Sequence, residues 1–289
     1  MKTVLETRGL SHTYSPGTPF EKKAIDDISV RLYEGEQIAI IGHTGSGKST
    51  FIQHLNGLLN PSSGKVLYKG EDVFSSKEKT HSLRFNVGLV FQYPEYQLFE
   101  ETVFKDIAFG PSNMKLDAKE IDERVREAAS FVGIDEDLFE RSPLELSGGQ
   151  KRRVAIAGVI AMRPSVLILD EPTAGLDPSG RTDILNNIKL YGDRTGSTII
   201  LVTHNMDDAA DFADRLLVFS KGKIINDGKS SDVFSDAEFL GSIGLDIPKP
   251  TEIATKLREG GLKLPSHIYT LQALKTEILR LKKGGAELV

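Results

Sequence analysis

The stretch Gly42-His43-Thr44-Gly45-Ser46-Gly47-Lys48-Ser49, followed by Thr50, has the residue types and spacing to hold a polyphosphate, because it matches G-x-x-x-x-G-K-[ST]. Glycines let the backbone fold tightly around a phosphate with successive N–H groups pointing inward. Lys48 can then reach the β- and γ-phosphates, and the Ser49 hydroxyl can ligate Mg²⁺. A glycine-rich turn that holds nothing is the plain alternative. The flanks argue against it. Gln37-Ile38-Ala39-Ile40-Ile41 reads as a short buried strand, and Thr50 to Leu55 reads as the first turns of a helix whose N-terminus adds a positive dipole end. Strand, loop and helix in this register imply that the chain binds a nucleoside triphosphate.

Other residues could act on that triphosphate. Val166-Leu167-Ile168-Leu169-Asp170-Glu171 is an apolar run ending in two acids, the pattern of a buried parallel strand. Ligands of open α/β sheets gather at the carboxyl ends of such strands. There Asp170 would orient Mg²⁺ or its waters, and Glu171 could polarise a water, although two acids can also simply cap a strand. Ser197 to His204 is a second buried strand with a polar tip. A lone histidine is usually structural, but His204 would face the γ-phosphate from that strand end. Ser147 is a candidate N-cap for a helix through Lys151–Ala157, and Gly148, Gly149 and Gln150 would expose backbone N–H groups at its positive end. This is either a second anion-binding helix start or a capped helix with a flexible lead-in. Gln92 closes the apolar strand Asn86–Phe91. Tyr14 opens a turn-rich loop, Tyr14–Glu21, and either stacks on a purine or is a half-buried loop aromatic.

The elements that must position these groups follow from composition and periodicity. At 289 residues with 27% charged, the chain can bury a full core in one large domain or two modest ones. A net charge of −5 weighs against a general nucleic-acid binder. With no cysteine, disulfides and thiolate metal sites are excluded, which fits a reducing compartment. The opening residues lack a signal-peptide pattern. No apolar run approaches the roughly 20 residues needed to span a bilayer, so a membrane role must come through another subunit.

The chain opens β-rich, with strands at Val4–Thr7 and Ile28–Leu32. A turn at Asn60–Gly64 leads to the strand Lys65–Tyr68. From about 101 to 165 the spacing of Ile121, Val125, Ala128, Ala129 and Val132 predicts helices. Leu216–Phe219 and Lys223–Asn226 predict a hairpin. Residues 241–266 carry Gly, Pro and Lys turns and read as a boundary. Beyond it Leu271, Leu274, Ile278 and Leu281 form a narrow helical stripe that either docks on its own domain or, the favoured expectation, joins another subunit.

Taken together, these residues resemble the nucleotide-binding cassette of ABC proteins over residues 3–235. Leu146-Ser147-Gly148-Gly149-Gln150, then Leu167 to Thr173, with His204 behind, are the specific motifs; a P-loop kinase or GTPase would leave them unexplained. The resemblance implies an α/β fold: a P-loop NTPase ABC-type cassette with a mixed sheet core, an antiparallel β subdomain, an inserted α-helical subdomain and a small C-terminal helical domain. It places the cassette at 1–240, the helical subdomain at about 93–165, and a dimerisation element at 241–289. It implies ATP and Mg²⁺ as cofactors, with Tyr14 stacking on adenine and residues 42–50 holding the phosphates. Ser49, Gln92 and Asp170 would attend the metal, and Glu171 and His204 would be catalytic. Asp177 would lie in a dimer-contacting loop. Two cassettes would close head to tail, with Ser147–Gln150 of one on the ATP of the other. A chain with one P-loop and one signature segment therefore needs a cassette partner, and a heterodimer is favoured over a homodimer.

Tyr14–Glu21, Phe91–Phe99 and Gln150–Gly158 are further similar to the CbiO-like ATPases of energy-coupling factor (ECF) importers, most of all to the second, A-prime, type. That likeness implies an ATPase at the cytoplasmic face of the cell membrane, peripheral to it. It would power uptake of vitamins or metal ions through a transmembrane coupling subunit, met near Tyr93–Phe99, and a membrane-embedded substrate-binding subunit. No nucleic acid is expected. The alternatives are the ATPase of a different ABC importer and, further off, a soluble ABC ATPase in translation or DNA repair.

Overall fold

The computed structural model describes residues 1–283. Buried Val4, Leu5 and Leu10 anchor β1 (Thr3–Tyr14), which pairs antiparallel with β2 (Lys22–Tyr33). Both strands are longer than the sequence pattern predicts, and Tyr14 ends a strand instead of opening a loop. β3 (Gln37–Gly42) runs into the P-loop and α1 (Lys48–Leu55). β4 (Ser63–Tyr68) and β5 (Glu71–Asp72) complete a four-stranded sheet ordered β2-β1-β4-β5. Next comes α2 (Lys77–Asn86), capped by Ser76; Leu83 is its buried residue, too little apolar content to show as a stripe. β6 (Val87–Val90) is followed by a short 3₁₀ turn at Pro94–Gln97.

The helical region forms as expected, as α3 (Val103–Asn113), α4 (Ala118–Val132) and α5 (Gly148–Ile160). Val125, Ala128, Ala129 and Val132 are the buried face of α4. β7 (Val166–Asp170), α6 (Pro178–Thr195), β8 (Thr198–Val202), α7 (Met206–Phe212), β9 (Arg215–Ser220) and β10 (Lys223–Lys229) finish the cassette. The second sheet is ordered β10-β9-β3-β8-β7-β6; every pairing is parallel except β10 on β9, so it is mixed. Its five parallel strands are buried on both faces, whereas the antiparallel edge strand β10 is not. Ala39, Ile41, Leu167, Leu169 and Leu201 pack toward the helical subdomain, and Ile38, Ile40, Val166, Ile168 and Val202 pack toward α1 and the first sheet. The period-2 alternation of strand side chains produces this division.

The turn-rich boundary expected at 241–266 is corrected. After α8 (Ser230–Ser235) and α9 (Ala237–Ser242), the chain forms α10 (Lys249–Glu259), whose Pro250 sits in the first turn, where its missing N–H costs nothing. α11 (Leu271–Lys283) follows. Leu274 is buried against Ala254, Leu264 and Ile268, with Ile278 and Leu281 packed on them. Leu274, Ile278 and Leu281 of the apolar stripe therefore dock within their own chain, while Leu271 remains 63% exposed. Residues 284–289 of the expected 241–289 unit lie outside the described residues.

Candidate functional site

The P-loop leaves β3 through a backbone that only glycine fits. Gly42 has φ 148°, and a Cβ there would stand 2.3 Å from the Phe219 carbonyl oxygen. Gly47 has φ 105°, and a Cβ there would stand 2.7 Å from the Ala24 carbonyl oxygen. Lys48, buried, donates from Nζ to the carbonyls of Gly42 (2.6 Å) and His43 (2.9 Å). Burial lowers its pKa, and the charges of Glu171 and Asp170 pull it back up.

Facing it are the ends of β7 and β8. The Ser49 hydroxyl donates to Asp170 Oδ2 at 3.0 Å. Burial raises the pKa of the Asp170 carboxyl; Ser49 opposes this, the Glu171 charge adds to it, and Lys48 opposes it. Glu171 takes φ 52°, a left-handed backbone that a glutamate adopts only when its surroundings hold it. Its N–H donates to Val202 O (2.9 Å), its carbonyl accepts from Ala174 N–H (3.1 Å), and its Oε1 lies 2.7 Å from His204 Nδ1. The Glu171 side chain is nearly buried, whereas that of His204 is 67% exposed, so the pair spans from the core to the mouth of the cleft.

The cleft between these elements has a volume of about 300 Å³. Of the residues expected from sequence, Thr44, Gly45, Gly47, Lys48, Ser49 and Thr50 line one side, and Gln92, Asp170, Glu171 and His204 line the other, with Tyr14 at the edge. Tyr14 is 39% exposed, and its hydroxyl lies 3.2 Å from Thr50 Oγ1. Gly42, His43 and Ser46 belong to the loop but do not line the cleft. The His43 ring turns away, with Nε2 2.7 Å from the Ile243 carbonyl just past α9. The Ser46 hydroxyl is buried without a partner. Lys22 and Ala24, which sequence reasoning missed, also line the cleft. They come from the start of β2, and the only signal for them was their place after the turn-rich loop.

Ser147, Gly148, Gly149 and Gln150 are not part of this cleft. Ser147 Oγ accepts from Gln150 N–H (3.3 Å), and Gln150 Oε1 accepts from Ser147 N–H (3.0 Å), a reciprocal cap at the start of α5. A methyl added at Gly148 or Gly149 would meet nothing within 4 Å, so this helix start is open to an approaching molecule. Among the described residues there is no cluster of three or more His, Asp or Glu able to hold a metal. The Ser49–Asp170 pair suits instead an ion such as Mg²⁺, which takes one or two protein oxygens and fills its octahedron with phosphates and water.

The whole chain is similar to known proteins. The ABC transporter family profile matches residues 25–174. The energy-coupling factor transporter ATP-binding protein EcfA2 of Clostridium tetani is 53% identical over 283 residues, covering 98% of each chain. Its namesake in Clostridium perfringens is 51% identical over 282 residues, covering 97% of this chain and 99% of the relative. Among solved structures, CbiO1 of Clostridium perfringens, described as part of the ABC transporter complex cbiONQ, superposes with a TM-score of 0.76 at 39% identity, covering 89% of this chain and 100% of that one. A dimeric ATP-binding cassette in a post-hydrolysis state with ADP and Pi gives a TM-score of 0.70 at 26% identity, over 78% of this chain and 98% of that one.

Proposed function

The chain belongs to the ABC transporter family, in its branch of energy-coupling factor ATP-binding proteins, and we propose that it hydrolyses ATP at a site closed by a second cassette. The observation that carries this is the split of the machinery. Lys48, Ser49, Asp170, Glu171 and His204 converge on one cleft, while the open helix start at Ser147–Gln150 stands outside it. A partner cassette would bring its own such segment onto the γ-phosphate held here.

In this reading Tyr14 stacks on the adenine, and the P-loop N–H groups and Lys48 hold the phosphates. Ser49 and Asp170 would hold Mg²⁺ with Gln92 facing it, and the ion would supply charge neutralisation at the β- and γ-oxygens. Glu171 accepts a hydrogen bond from the attacking water and aims it in line, with His204 bracing that carboxylate and reaching the γ-phosphate. The P–O bond to the β-phosphate breaks, and ADP and phosphate leave.

The partner surface is supported by exposed aromatics. Tyr93, Tyr96 and Phe99 are 45%, 85% and 64% exposed. Phe99 lines an apolar groove of about 860 Å³ whose walls also include Phe85, Leu98, Phe109 and Met162. A short helix of a transmembrane coupling subunit fits this chemistry. Exposed Leu271 and Leu279 on α11 support the 241–289 unit as a contact between cassettes, in a heterodimer by preference. No helix among the described residues is long and apolar enough to cross a membrane. The likeness to energy-coupling factor ATP-binding proteins supports a chain that sits peripherally on the cytoplasmic face and serves a membrane-embedded subunit that binds a vitamin or metal ion.

The test is recovery of tagged Glu171→Gln protein from detergent-solubilised membranes with ATP and Mg²⁺, read by mass spectrometry. A second cassette, a small multi-helix coupling protein and varied substrate-binding subunits are expected. Recovery with a conventional permease pair would assign it to another importer class, and ribosomal or DNA-repair proteins would overturn the transport role.

A further inference from the structure

Arg152, on α5 just after the Ser147–Gln150 segment, is only 3% exposed. Its Nε and Nη2 donate to the two carboxylate oxygens of Glu95, at 3.1 and 2.8 Å. Its Nη1 donates to the carbonyl of Pro172 at 3.3 Å and to that of Ala174. One planar guanidinium thus grips two places far apart in the chain. Glu95 lies on the 3₁₀ turn Pro94–Gln97, which begins at Tyr93 in a left-handed backbone (φ 56°) and carries the exposed Tyr96. Pro172 and Ala174 belong to the loop that holds Glu171 at φ 52°, and the Ala174 N–H closes that loop onto the Glu171 carbonyl.

The other side of the same loop is tied down separately. Thr173 Oγ1 donates to Asp208 Oδ2 at 2.7 Å, and Asp208 is itself held by Arg181 at 2.8 Å. Glu171, held at φ 52°, therefore sits between an anchor on α7 and a grip that arrives from the 93–99 segment. Because the guanidinium is rigid and its donors form a fixed fork, a shift of Glu95 that keeps its ion pair with Arg152 must also move the bonds to Pro172 and Ala174.

We propose that Arg152 is a positioning residue that relays the position of the 93–99 segment to the Glu171 carboxylate. The proposal rests on the reading of that segment as the docking site of the coupling subunit. When the subunit holds Glu95, the fork holds the loop, and Glu171 is aimed at the water. When the segment moves, Glu171 moves off line. Nucleotide binding, which uses the P-loop, is untouched.

The experiment measures ATP hydrolysis by the assembled transporter carrying Arg152→Lys, Glu95→Gln or both, with Tyr96→Cys added for cross-linking; this chain has no cysteine of its own to interfere. Arg152→Lys keeps the charge but loses the fork. It should lower kcat roughly 10- to 100-fold, as a small misplacement of a catalytic group does, with the KM for ATP within about twofold of wild type. Glu95→Gln should lower kcat in the same direction, and the double variant should be no worse than Arg152→Lys alone, since both act through one path. A kcat within about twofold of wild type for Arg152→Lys, or losses that multiply in the double variant, would overturn the relay. Should Arg152→Lys fail to bind a fluorescent ATP analogue, showing that it has not folded, Glu95→Gln alone decides by the same kcat–KM split. A Tyr96→Cys cross-link to the membrane subunit with unchanged kcat removes the relay but keeps the docking surface. Loss of kcat with no cross-link removes the docking surface and the relay with it, leaving an internal brace.

Discussion

Glu171→Gln tests the centre of the mechanism. Glutamine has nearly the size of glutamate, so the left-handed backbone at φ 52°, the N–H bond to Val202 and contact with His204 can all persist. What is lost is the negative charge that accepts and aims the water proton. Removing a positioned base or orienting carboxylate costs about 10²- to 10⁴-fold in rate, or about 3–5 kcal/mol in the barrier. Binding should respond in the opposite sense. The cleft holds Asp170 and Glu171 side by side, and the Glu171 charge is one cause that raises the Asp170 pKa. With that charge gone, a polyanion enters a less negative site, and ATP affinity should hold or rise. The assay is phosphate release by the assembled transporter under steady-state and single-turnover conditions, alongside titration with a fluorescent ATP analogue. Hydrolysis within about tenfold of wild type would refute the assigned role. So would a loss of ATP affinity, because it would mean that the carboxylate shapes the loop instead of the reaction.

Gly47→Ala should abolish ATP binding and destabilise the fold by roughly 1–3 kcal/mol, since φ is 105° and the new methyl would press on the Ala24 carbonyl; thermal melts and ATP titration check both effects. The pH dependence of stability should carry a signature of Asp106, which accepts from the N–H groups of Phe99 and Glu100 at 3.3 and 3.2 Å. Burial raises its pKa above the ordinary 3.8, the two N–H bonds oppose this, and the Glu100 charge adds to it. The native state then keeps a proton that the unfolded chain has released, so stability falls as pH rises from 3.8 through the raised value. Asp106→Asn should flatten that fall, as read from denaturant melts between about pH 4 and about pH 7; an unchanged slope would assign it to other groups.

Sequence alone determined what is encoded in contiguous residues. Gly42 to Ser49 require a backbone that only glycines permit, Val166–Asp170 and Thr198–Val202 are apolar enough to be buried on both faces, and Ser147 marks the N-cap of a helix. These local constraints bring the catalytic residues to the strand ends, and with them the cassette architecture became legible. Tertiary structure alone decided the rest. α2 buries one leucine and leaves no periodic trace, and Pro250 reads as a turn until the chain around it is seen to start a helix. The His43 side chain, read as part of the phosphate cradle, is taken by Ile243, which lies 200 residues away. Nothing in the sequence marks out Arg152; only the fold closes Glu95 and the carbonyls of Pro172 and Ala174 around it. The physical reason is common to these cases. Backbone conformation and burial periodicity are set by near neighbours, whereas the partner of a long polar side chain is chosen by which distant elements the fold brings within hydrogen-bond reach.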